Sequence, residues 1–91
     1  MSNPITTSTL SPSNISTDKK PSETVGQWMG RHSDAVCRST PASDPLTTTW
    51  TSANGPQTKS TTRKTGESDR DFLLRHMNEF ILAAADEPPI P

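Results

Sequence analysis

One cysteine, no tyrosine and four aromatic residues among 91 leave this chain short of several kinds of chemistry. A lone Cys37 excludes an internal disulfide framework, and no Cys-x-x-Cys or His-x-x-x-His spacing supplies the usual ligand set of a zinc site. Nine basic residues against ten acidic ones give no field of one sign that would draw the chain to nucleic acid or to an anionic membrane. No run approaches the ~18 apolar residues of a membrane span. No basic segment followed by an apolar run marks a secretory leader, so the acceptor spacing Asn14-Ile15-Ser16 is expected to be idle and the chain cytoplasmic. Glycine-rich phosphate loops and Ser-centred nucleophile elbows are missing too. The expectation is a protein that is not an enzyme, with no cofactor, no metal and no membrane contact.

Apolar residues are themselves scarce, at 27% against the ~45–50% of ordinary globular chains, a range that counts glycine. Serine and threonine make up 26 positions and proline nine. Residues 1–21, with prolines at 4, 12 and 21, have too little to bury against the entropy of ordering and read as a disordered Ser/Thr/Pro-rich arm. Residues 88–91 read as a Pro-rich tail.

What is present is two stretches with a helical period. Over 22–38, Val25, Trp28, Met29, His32 and Val36 share one face, with Ser22 or Thr24 as cap. Gly26 and Gly30 weaken that helix by about 1 kcal/mol each. Over 68–85, Leu73, Met77, Phe80, Ile81 and Ala84 form the stripe behind a Ser68/Asp71 capping box, and Pro88-Pro89 stops it. Pro41 and Pro45 mark a linker between the two units. Residues 46–65 read as a β-hairpin about Asn54-Gly55. Because Pro56 has no amide hydrogen, the turn is expected to be a four-residue loop, Ala53 to Pro56, setting Trp50 opposite Lys59, Thr48 opposite Thr61 and Leu46 opposite Arg63. The reading is an α+β domain over 22–87, helix–hairpin–helix behind a disordered arm. Its core would hold Val25, Trp28, Met29, Val36, Leu46, Trp50, Phe72, Leu73, Met77, Phe80 and Ile81.

The two helices share a frame. Trp28 and Phe72 are each followed by Arg-His at 31–32 and 75–76, and preceded four places earlier by Thr24 and Ser68. A repeat of 44 residues fits one supersecondary unit, yet nothing before Thr24 reads as a strand, so the frame is taken as a guide to packing. A zinc site from His32, Asp34, Cys37 and His76 fails on spacing, since i to i+5 on a helix does not aim two side chains at one ion. Each histidine is expected at the edge of an apolar face.

Two functional classes remain. The first is a small accessory protein that binds a protein partner or a second copy, with Leu74 and Leu82, left outside the main stripe, as contact residues. The alternative is a small nucleic-acid-binding protein using Lys59, Arg63 and Lys64 for phosphates and Trp50 for base stacking.

Overall fold

The computed structural model describes residues 3–8, 14–39 and 44–90. Strands β1 (Ile5–Ser8) and β2 (Asn14–Thr17) precede helix α1 (Val25–Cys37), and strands β3 (Leu46–Ser52) and β4 (Gly55–Thr61) precede helix α2 (Asp69–Asp86). The four strands form one antiparallel sheet in the order β2-β1-β3-β4. The class is α+β, but the order is ββα twice rather than helix–hairpin–helix. Two strands lie inside the arm expected to be disordered; its residues 1, 2 and 9–13 fall outside the described set.

Shared register shows how closely the halves correspond. Ile5 pairs with Thr17 as Leu46 pairs with Thr61, and Ser8 with Asn14 as Thr49 with Thr58. Strands β1 and β3 thus match at an offset of 41; β2 and β4, and the helices, match at 44. The difference of three is taken up by the longer second hairpin. Across the middle of the sheet, Thr6 faces Thr49, Thr7 faces Thr48 and Ser8 faces Thr47, which places a pseudo-two-fold axis at Thr7/Thr48.

Local chemistry repeats as well. Thr24 and Ser68 cap their helices from the side chain, onto the amides of Gln27 and Asp71. On the outward face Thr6 bonds Ser16 at 2.8 Å and Thr47 bonds Ser60 at 3.0 Å. Ahead of each helix, a glutamate fixes the turn. Glu23 accepts from the amide of Lys20 and from Arg31, whose guanidinium also reaches the Asp18 carbonyl. Glu67 accepts from the amide of Lys64 and from Arg75, which reaches the Thr62 carbonyl.

The second hairpin turns on Ala53-Asn54 alone, two residues tighter than the expected loop. Ser52 pairs with Gly55, Trp50 with Gln57, Thr48 with Lys59 and Leu46 with Thr61. Pro56 is tolerated because it lies opposite Thr51, a position between the hydrogen-bonded pairs. The Thr51 carbonyl indeed faces away from β4 and accepts from the Ile90 amide at 2.9 Å. Gly55 takes the left-handed turn with φ of 112°.

Both helices cover one face of the sheet. The core is Ile5, Trp28, Val36, Leu46, Trp50, Phe72, Leu73, Met77, Phe80 and Ala84. Met29 packs on its edge, Val25 is half-buried, and Ile81 is 39% exposed and lies outside it. The second repeat carries the larger share: Phe80 and Met77 stand where the first has Val36 and Ser33. Trp50 meets Phe80 edge-on at 5.0 Å and donates from its indole to the Glu87 carbonyl at 2.7 Å.

Candidate functional site

The pseudo-axis passes through a polar cluster in this small core. His32 and His76, expected at the margins, are fully buried, as are Thr7 and Thr48. From one edge to the other the hydrogen bonds run without a break. Thr17 Oγ1 lies 2.8 Å from His32 Nδ1, and His32 Nε2 lies 2.7 Å from Thr7 Oγ1. Thr7 Oγ1 is 2.6 Å from Thr48 Oγ1, and Thr48 Oγ1 is 2.7 Å from His76 Nε2. His76 Nδ1 closes the series at 2.8 Å from Thr61 Oγ1. Six side chains, one from each of the four strands and two helices, make five links, symmetric about the central pair.

Burial holds both imidazoles neutral. The rings' titration falls from 6.5 to about 4, chiefly through desolvation of the charged form. For His32 the proximity of His76 and then Arg31 pushes the same way. For His76, Glu79 opposes the shift while Lys59 and Arg75 add to it. The two glutamates of the turns move in the opposite sense: hydrogen bonds from Arg31 and from the Lys20 amide hold Glu23 down at about 2, and Arg75 with the Lys64 amide does the same for Glu67.

Among the described residues no group of three or more His, Cys, Asp or Glu is placed to hold a metal ion. All four imidazole nitrogens are already bonded to threonines. Cys37 is half-exposed, and burial pushes its thiol up, away from the reactive thiolate.

Three of the residues proposed for phosphate and base contact are engaged within the chain. Trp50, 4% exposed, sits in the core with both ring and nitrogen engaged. Lys59 turns to the helix side of β4 and pairs with Glu79 at 3.6 Å. Arg63 pairs with Asp69 at 2.7 Å and lies 4.7 Å over the Phe72 ring. Lys64 is exposed in the turn, where its amide binds Glu67.

Leu74 and Leu82 do share a surface. They are 40% and 71% exposed on the outer side of α2, beside Ile81 and the exposed Ala85. Arg70, Asn78 and Asp86 lie along the same helix, also exposed, and among the described residues none of the three side chains has a hydrogen-bond or ion-pair partner. The repeat provides an internal control. At the positions of Leu74, Asn78 and Leu82, the first repeat has Gly30, Asp34 and Arg38. Since α1 packs on the same sheet without them, the fold does not require leucines there.

Spacing alone does not show the histidine chain, because its four threonines and two histidines come from six different elements. The signal was available only once Thr7, Thr17, Thr48 and Thr61 were placed two per repeat opposite the two Arg-His frames. No helix among the described residues is long and apolar enough to cross a membrane. Comparison with protein-family models, curated proteins and solved structures finds no match to this chain.

Proposed function

We propose that this chain is a non-catalytic interaction module that works through the outer face of α2, and that the face takes a second copy of the same chain. The observation that carries this reading is the difference between the repeats: Leu74 and Leu82 stand exposed where the first repeat places Gly30 and Arg38. Exposed leucines that the fold does not need are best explained by a surface that covers them.

Charge selects the occupant. Positions along α2 are complementary about Asn78 when two copies run antiparallel: Arg70 meets Asp86, Leu74 meets Leu82, and Asn78 meets Asn78. Both charges lack partners within the chain, among the described residues, and a two-fold contact supplies each one twice. A single helix pair is a small interface, so the association is expected to be reversible and dependent on concentration.

Sedimentation equilibrium over a range of concentrations tests this. The chain should pass from monomer to dimer, and Leu74→Asp or Leu82→Asp should hold it monomeric without lowering its melting temperature. A chain that stays monomeric at the highest concentration, or variants that dimerise as before, would overturn the reading.

A further inference from the structure

The chain Thr17–His32–Thr7–Thr48–His76–Thr61 has a consequence that lies in its hydrogen count. Each threonine hydroxyl and each neutral imidazole carries one hydrogen. Among the described residues Thr7 and Thr48 have no partners beyond the chain, and both are fully buried. The central link is donated by one of them. Suppose it is Thr7: its hydrogen is then spent, so His32 must donate from Nε2, leaving Nδ1 to accept from Thr17. Thr48, having accepted, donates to His76 Nε2, and His76 donates from Nδ1 to Thr61. If Thr48 donates the central link, every assignment reverses. If both rings donated from Nε2, one central hydroxyl hydrogen would be buried without an acceptor.

We propose that these six side chains form one ordered hydrogen-bond wire, with His32 and His76 in opposite tautomers, that can take up one proton and not two, and so acts as an acid-sensitive latch between the repeats. A single imidazolium is accommodated at either end. It donates from both nitrogens and becomes the origin of the order, which runs away from it through Thr7 and Thr48 to the neutral ring. Two imidazoliums are incompatible. Each would make its neighbouring threonine donate toward the middle of the sheet, and two hydrogens cannot fill the one Thr7–Thr48 link.

The surroundings offer little relief. Facing the rings are Arg31 from α1, Arg75 and Glu79 from α2, and Lys59 from β4. The inward side chains of β1, β2 and β3 that line the cluster carry no charge. Glu79, the one acid in this set, is already paired with Lys59 and Arg75. Titrations of the two rings are therefore coupled through both charge and hydrogen order.

The experiment is long-range proton–nitrogen correlation of the imidazoles in the full 15N-labelled chain, first at neutral pH and then through an acid titration. At neutral pH the fractions of Nε2–H tautomer in His32 and His76 should sum to one, whether the order is fixed or exchanges rapidly. Two rings that are both Nε2–H, both Nδ1–H or both imidazolium would overturn the ordered wire. On acidification one ring should become imidazolium while the β1–β3 amides stay protected, and the second should protonate only as that protection is lost. Both rings protonating with the sheet intact, or unfolding while both are neutral, would overturn the one-proton limit. Thr48→Val supplies an independent reading: with the central link gone, the two tautomer fractions should no longer be complementary, and fractions that still sum to one would also contradict the wire.

Discussion

The hydroxyls of Thr7 and Thr48 meet at 2.6 Å, in register across β1 and β3, and each lies 2.7 Å from the Nε2 of a different histidine. The two repeats are related about this contact, and the buried polar bonds of the core converge on it.

Acid should weaken the fold in two windows. An unfolded histidine binds its proton near 6.5 and these folded ones near 4, so their contribution is complete above 6.5 and is lost as pH falls toward 4. A shift of that size amounts to on the order of 3 kcal/mol for one ring. Glu23 and Glu67, held at about 2 against 4.5 unfolded, contribute above 4.5 and lose that contribution as pH falls toward 2. Urea unfolding at a series of pH values should show both, and a chain carrying Glu23→Gln and Glu67→Gln should lose only the lower window. Stability that is flat between pH 7 and 4.5 would contradict the buried neutral rings.

Gly30→Ala should stabilise. Gly30 is interior to α1, and a Cβ added there meets nothing within 4 Å. The gain expected is about 0.5–1 kcal/mol from helix propensity. A lower denaturation midpoint in the variant would show that the glycine makes a contact absent from this structure.

Ser33→Ala should stabilise or be neutral. The Ser33 hydroxyl is buried with no hydrogen-bond partner, at the position where the second repeat has Met77. Removing a group whose desolvation is uncompensated should raise stability by about 1 kcal/mol. Thermal melts of the two proteins decide it, and a clear loss would mean the hydroxyl is bonded in solution.

Reversing one charge on α2 should separate antiparallel pairing from nonspecific adhesion. Arg70→Glu sets an acid against the partner's Asp86 and should weaken dimerisation. Adding Asp86→Arg to it should restore the dimer. Sedimentation of the single and double variants tests the register, and a double variant no better than the single one would exclude it.

Much of the second repeat could be read from sequence, since α2 and β3 are long enough for their periods to emerge. The Ser68 cap, the stripe through Leu73, Met77 and Phe80, and the exposure of Leu74 and Leu82 all came from spacing. The first hairpin could not be read that way, because four-residue strands are too short to show alternation. Ile5 and Ile15 are the only apolar residues in them, and threonine composition there matches disorder as well as it matches a strand. The inward position of Thr7 was hidden for the same reason, and the bonding of Thr48 for a related one. A threonine becomes a core residue only when something buried bonds its hydroxyl, and the histidine partners lie 25 and 28 residues away. The hairpin register slipped by two because Pro56 was weighed as a missing donor at a position where none is needed.

The two repeats are joined through the Thr7–Thr48 contact, and a double-mutant cycle measures that join. Thr7→Val and Thr48→Val should each cost about 1–3 kcal/mol, because each leaves buried partners unpaired. If the wire acts as a unit, the double variant should depart from the sum of the two by more than about 0.5 kcal/mol, the scatter of independent sites. Equilibrium unfolding of the four proteins at pH 7.5 gives the answer. Strong non-additivity is expected, and costs that simply add would show that the two hydroxyls do not act together.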